Sequence, residues 1–170
     1  EMIHPYLDAA NVDLKAFSER YYRDVCGAKL APVMETLKQM KSRGVFVEVT
    51  TLIVPGLNDD SGELEKLAQF LVADLGPETP WHISRFHPTY KLTDRPPTPL
   101  ATLLKARDIG LKAGLRYVYT GNVPGEDSEN TLCYNCGRIV IARWGFQIRN
   151  TALEEGRCRY CRAVIDGVGL

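Results

Sequence analysis

The sequence predicts an α/β fold, a parallel sheet flanked by helices, followed by a small module organised by cysteines. Three observations lead to this expectation. Four times a β-branched or apolar run gives way to turn chemistry and then to apolar residues at helical spacing, the pattern of parallel strands joined by covering helices. The C-terminal stretch carries two Cys-x-x-Cys pairs, Cys133/Cys136 and Cys158/Cys161, a spacing that favours a metal over disulfides. Between the two parts lies an acidic, turn-forming stretch, so the expected division is 1–122 for the α/β part, 123–130 for a linker and 131–170 for the cysteine module.

The first strand is expected over Asn11–Ala16, with Ser18 capping a short helix that Gly27 ends. The next helix should start near Pro32, bury Val33, Leu37 and Met40, and stop at Gly44. A β-branched strand, Val45–Val54, closes at Pro55-Gly56, after which Asn58, Asp59, Asp60 and Ser61 offer capping oxygens to a helix. That helix carries the stripe Leu64, Leu67, Ala68, Leu71 and Leu75. Trp81–His87 reads as a third strand, and a proline-rich loop then leads to the cap pair Thr98-Pro99 and a helix burying Leu100, Leu103, Leu104 and Leu111. Gly114 stops it, and Leu115–Thr120 makes the fourth strand.

Composition bounds the function. Hydrophobic residues at 45 % and charged residues at 25 % are ordinary for a globular chain. Twenty-one basic side chains balance twenty-one acidic ones, so no global field draws the chain to nucleic acid or to an anionic membrane surface. No apolar run approaches the ~20 residues of a membrane helix, and the expected location is the cytoplasm. The opening Glu1-Met2-Ile3-His4 suggests a piece of something longer.

The two cysteine pairs are separated by twenty-one residues, slightly beyond the ~15–20 usual for four-cysteine zinc sites. Each pair forms a knuckle, the first helped by Gly137, and residues 139–142 and 146–148 can form a hairpin turning at Trp144-Gly145. So small a unit lacks the apolar burial to fold alone, which makes a closed, structural zinc site the leading reading. Two disulfides, a rubredoxin-like iron centre and a redox dithiol are the competitors. The module carries arginines at 138, 143, 149, 157, 159 and 162. They read as a solvated mixed surface or as a contact for nucleic acid or an acidic partner.

Alternation along the first strand puts Asn11, Asp13 and Lys15 on one face and Val12, Leu14 and Ala16 on the other. Glu48 and Thr50 likewise oppose Val47 and Val49. In a β/α barrel the helix-covered face is apolar, which places the polar set inside, where ligands are held near the C-terminal strand ends. Asp13 and Lys15 should then open into a cavity within reach of Thr50. Such a pair can hold a small zwitterion or satisfy itself as an internal ion pair. His87, at a strand end, reads as a structural hydrogen bonder or as a ligand contact.

The string Asp13-Leu14-Lys15, the segment Thr51-Leu52-Ile53-Val54-Pro55-Gly56-Leu57-Asn58-Asp59 and the strand end Ser84-Arg85-Phe86-His87-Pro88 resemble the C-terminal half of radical S-adenosylmethionine (SAM) enzymes related to pyruvate formate-lyase activating enzyme. With the four-cysteine ribbon, the sequence is most similar to the AmmeMemoRadiSam system subgroup. The resemblance implies the C-terminal half of a partial β/α barrel, a [4Fe–4S] cluster and SAM cleaved to a 5′-deoxyadenosyl radical. It implies that Asp13 and Lys15 contact SAM, that Thr50 lines the same site and that His87 lies by SAM or substrate. Where the activating enzymes present an arginine on the strand before Val-Pro-Gly, this chain has Thr50, so the substrate does not transfer; a protein or peptide is among the candidates. The Cys-x-x-x-Cys-x-x-Cys cluster motif is absent and Cys26 cannot replace it. The expectation is therefore an inactive portion whose partner is the N-terminal half of the barrel, its exposed first strand covered by residues 1–10, a second copy or a neighbour. The alternative is a non-catalytic zinc-ribbon module that contacts nucleic acid or a protein. Salt-dependent nucleic-acid binding would favour the module, and an upstream three-cysteine motif the enzyme.

Overall fold

The computed structural model describes residues 4–123, 129–145 and 147–170. A single 3-10 turn, His4–Tyr6, leads into β1 (Ala9–Asp13). Next come α1 (Glu19–Tyr21), which runs on as a π-helical turn over Tyr22–Cys26, then α2 (Leu30–Ser42) and β2 (Phe46–Ile53). They are followed by α3 (Ser61–Phe70) with its π-helical continuation Leu71–Leu75, β3 (Trp81–Arg85), α4 (Leu100–Ala113) and β4 (Val118–Gly121). Five short strands complete the chain: β5 (Thr131–Leu132), β6 (Ile139–Trp144), β7 (Gln147–Thr151), β8 (Leu153–Glu154) and β9 (Arg157–Cys158).

The first four strands form one parallel sheet in the order β1-β2-β3-β4, each beside its successor. Parallel neighbours need a crossover, and the helices between them supply it. Alternation along β2 is complete, with Val47, Val49, Thr51 and Ile53 buried and the residues between them half-exposed. The buried face packs on α2, α3 and α4 through Leu37, Leu64, Leu67, Leu71 and Leu103, while the opposite face carries Asn11, Glu48, Thr50, His82 and Tyr119. The expected face assignment for the first two strands therefore holds. Among the described residues β1 has a strand partner along one edge only, β2.

Several local expectations shift. β1 begins two residues before Asn11 and ends at Asp13; Leu14 still donates to the Thr50 carbonyl at 3.0 Å, but the chain then bends away to reach α1. Helix α2 starts at Leu30 rather than Pro32, because the carboxylate of Glu19 accepts from the Leu30 and Ala31 N–H groups and so caps a turn that has no cap of its own. Thr98 does not cap α4. Its hydroxyl instead donates to the Ile53 carbonyl at 2.6 Å and accepts from Phe86 N–H at 3.0 Å.

The buried line of α4 is Leu103, Ala106 and Gly110; of the expected stripe Leu103 is buried and Leu100 packs against the core, but Leu104 and Leu111 are each 38 % exposed. Trp81 is the reason. Its ring is fully buried under Gly110, where a β-carbon would stand 2.8 Å from Cε3 and 3.0 Å from Val118 Cγ2. The helix lies so close to the sheet that only small residues fit beneath it.

The cysteine module is two small antiparallel sheets, β5-β6-β7 and β8-β9. The expected hairpin forms, with β6 and β7 paired to Trp144↔Gln147 and Gly145 at φ 57°; Phe146 lies outside the described residues. Most of the expected linker, 124–128, also lies outside them. The module's buried cluster, Cys133, Val140, Cys158 and Ile165, closes over Tyr117, which precedes β4. Asp166 secures this seam, accepting from Tyr117 Oη and Arg116 Nη1, each at 2.9 Å.

Substituting Gly110→Ala tests the close approach of α4. Helix propensity favours alanine by ~1 kcal/mol, whereas overpacking a core costs typically ~1–3 kcal/mol, and Trp81 is held by Nε1–H donation to Thr51 at 2.9 Å. The expected result is a lower urea midpoint. A raised midpoint would show that the helix can step away from the ring.

Candidate functional site

The C-terminal strand ends are fixed by buried polar side chains. Asn58, 1 % exposed, accepts from Val54 N–H at 2.7 Å and donates from Nδ2 to the carbonyls of Lys15 (2.6 Å) and Leu52 (2.9 Å). Thr51 donates to the Leu14 carbonyl at 2.8 Å. The backbone at Leu14-Lys15 is thus held against β2 by two side chains, with Lys15 N–H donating to Tyr22 Oη at 3.1 Å. This places the Lys15 ammonium 2.9 Å from Asp13 Oδ2, both side chains partly exposed on the uncovered face.

Across that face runs a polar row to which every strand of the sheet contributes, β2 with both Glu48 and Thr50. Thr50 donates to Asn11 Oδ1 at 2.7 Å. Glu48 Oε2 lies 2.9 Å from His82 Nε2, and the His82 ring stacks on Tyr119 with centroids 5.0 Å apart and planes at 24°. Tyr119 Oη meets Thr131 Oγ1 at 3.0 Å, and Arg143 of β6 donates to the same Thr131 oxygen with its guanidinium 5.9 Å from the Tyr119 ring centre. The hydrogen bond from His82, aided by one from Asn11 and by the nearby Arg143 charge, holds Glu48 below the ordinary carboxylate range against the opposing effect of burial. Burial raises the Tyr119 phenol and keeps it protonated.

Sheet and ribbon enclose a cavity of about 780 Å³ above this row. Thr50 and His87 line it, with Arg85 at the end of β3 and Arg143, Trp144 and Gly145 from the hairpin. Asp13 and Lys15, expected to open into it, are not in its lining: they close on each other at 2.9 Å. Glu48 was visible in the sequence only as a member of the polar face. The sequence does not single out His82 or Tyr119, and Arg143 stands there only as one of six module arginines; His82 has a recognisable signal, since it lies between the buried Trp81 and Ile83 and so faces Glu48.

The four cysteine sulfurs lie within 4.8 Å of one another, Cys133–Cys161 at 3.5 Å and Cys136–Cys158 at 3.7 Å. None of the four is paired in a disulfide. A tetrahedral ion with metal–sulfur bonds of ~2.3 Å requires sulfur–sulfur edges of ~3.8 Å, so the set fits a metal ion. Both knuckles share one backbone pattern: Gly137 N–H donates to Cys133 O and Arg162 N–H to Cys158 O, each at 2.8 Å. The left-handed position is Gly137 in the first and Arg162 (φ 63°) in the second. Cys26 is exposed and apart from this group.

No protein-family model matches the chain. It is 50 % identical over 162 residues to an uncharacterized protein of Methanocaldococcus jannaschii, covering 94 % of this chain and 48 % of that protein. It is 26 % identical over 127 residues to the benzylsuccinate synthase activating enzyme of Thauera aromatica, covering 64 % of this chain and 38 % of the enzyme. The chain therefore spans about half or less of the length of these curated relatives. Its fold matches a domain of the pyruvate-formate lyase-activating enzyme of Bacteroides vulgatus with a TM-score of 0.61 at 13 % identity, over 71 % of each chain. In sequence the chain is a distant relative of one activating enzyme, and in fold it matches a domain of another. Among the described residues no helix is long and apolar enough to cross a membrane.

The Glu48–His82 contact predicts a pH signature. Because folding lowers the Glu48 pKa, its contribution to stability is fully present above the unfolded carboxylate value and fades as pH falls through the lower folded value. Glu48→Gln should flatten the acid limb of stability against pH while changing stability at pH 7 to pH 8 by a constant offset. An unchanged acid limb would show that Glu48 is not held by this contact.

Proposed function

We propose that the chain is the C-terminal portion of a radical SAM enzyme of the pyruvate formate-lyase activating enzyme type, in the AmmeMemoRadiSam system subgroup. In this reading residues 1–122 are half of a partial β/α barrel, 123–130 a linker and 131–170 a structural zinc ribbon. One conjunction carries it. Distant similarity to an activating enzyme over 127 residues coincides with a sequential parallel sheet whose helix-free face is polar.

The charges of Asp13 and Lys15, side by side on that face, complement the ammonium and carboxylate of a zwitterion, and we assign them to the methionine end of SAM. Thr50 and His87 line the adjoining cavity. SAM, when cleaved by a reduced [4Fe–4S] cluster, supplies a radical that abstracts hydrogen from a substrate. The cluster has no fit in this chain: four of its five cysteines form the ribbon site and Cys26 stands alone. Radical generation is therefore not assigned to these residues. Zinc is assigned to the ribbon because four thiolates close a tetrahedron without an open position.

Two measurements test the reading. Elemental analysis of the purified chain should find about one zinc per chain, resistant to mild dialysis; metal-free protein with a folded ribbon would refute the zinc assignment. Under reductant and SAM, the chain with negligible iron should release no 5′-deoxyadenosine, whereas a protein that joins it to an upstream three-cysteine motif and carries iron and sulfide should. Release by this chain alone, or none from the joined, cluster-loaded protein, would overturn the enzyme reading.

A further inference from the structure

We infer that the cavity between the sheet's polar face and the ribbon hairpin is a binding site for an organic anion, a carboxylate or phosphate carried on a flat apolar body. The inference concerns binding alone and stands apart from the radical SAM reading.

The charge balance of the lining carries it. The cavity's two described carboxylates are already engaged, Glu48 by His82 and Glu129 by the N–H of Gly145 at 2.8 Å. Its two guanidiniums make hydrogen bonds too, but to neutral oxygens and not to a carboxylate. Arg85 donates its Nε to the Thr98 carbonyl at 2.8 Å, and Arg143 donates Nη1 to the Thr131 hydroxyl. Each is thereby oriented by an uncharged oxygen. Neither has a carboxylate within ion-pair distance among the described residues, although Arg143 is close enough to Glu48 to help lower its pKa.

A half-buried guanidinium fixed on one side and unpaired on the other is a fork suited to planar oxyanions. Tyr119, Val123 and the 54 %-exposed Trp144 add flat and apolar surface to a lining that is otherwise polar, with Asn11, Thr50, Ser84 and His87 among its members. A volume of about 780 Å³ suits a ligand of metabolite size. The site needs both parts of the chain, since Arg85 comes from the sheet and Arg143 and Trp144 from the ribbon.

Tryptophan emission provides the readout, because Trp81 is fully buried and Trp144 faces the cavity. The metal-loaded chain is titrated with phenyl phosphate, with benzoate and with benzyl alcohol as the neutral control. Saturable change with either anion and none with the alcohol is the expected result. Arg85→Gln and Arg143→Gln should each weaken binding about tenfold, the scale of a lost charge-assisted hydrogen bond. Ser84→Asp, which adds a negative charge to the lining while leaving both arginines in place, should weaken it similarly. Arg157→Gln, outside the cavity, should leave binding unchanged. Saturation by the alcohol as tight as by the anions, no saturation by either anion, or anion binding undiminished in all three lining variants would overturn the inference.

Discussion

Buried oxygens at the ends of β2 set the position of nearly everything described above. A parallel strand that stops inside a protein leaves carbonyls and N–H groups without ladder partners, and an unpaired buried group costs on the order of 1–3 kcal/mol. Asn58 satisfies three such groups at once, tying the end of β1 to both sides of the turn after β2. Thr51 and Thr98 do the same for Leu14, Ile53 and Phe86. The backbone that presents Asp13, Lys15, Arg85 and His87 is therefore held by hydrogen bonds, each with a single satisfactory geometry.

From that constraint follows an asymmetric sheet. One face is sealed by helices that approach closely enough to exclude a β-carbon at Gly110; the other is left to polar side chains that satisfy one another in a row from Asn11 to Arg143. The row does not end at β4. Through Thr131 it passes into the cysteine module, and Tyr117 is a core residue of that module as much as a neighbour of the sheet. The ribbon thus contributes a wall to the cavity.

Much of this was legible in the amino-acid order. Alternation in Phe46–Ile53 and around Asn11 gave strand faces directly, since a one-residue error would have put valines in water. The cysteine spacing announced the four-sulfur set. Less legible was anything that depends on two distant segments meeting. Asn58 looked like one of several helix caps, yet Asp60 caps α3, Asp59 accepts from Gly56 N–H, and Asn58 is the clamp between strands. The α4 stripe misled because leucines at helical spacing mark a face without saying how near the sheet lies. Arg143 read as one of six module arginines, its role fixed only by Tyr119 and Thr131.

The Tyr117–Asp166 contact joins residues 49 apart in sequence. Closing a flexible loop of that length carries an entropy cost that rises only logarithmically, by ~0.6 kcal/mol per doubling, but it must be met before the contact forms. An ion that gathers Cys133, Cys136, Cys158 and Cys161 divides the same path into short arcs. Asp166 then sits five residues past the last ligand and reaches Tyr117 as a nearby partner. A metal bound by the four cysteines would be a folding shortcut for the seam: with it the chain would close β4 against the module through shorter loops, and without it the same latch would be a long-range event that competes with every other conformation of the tail.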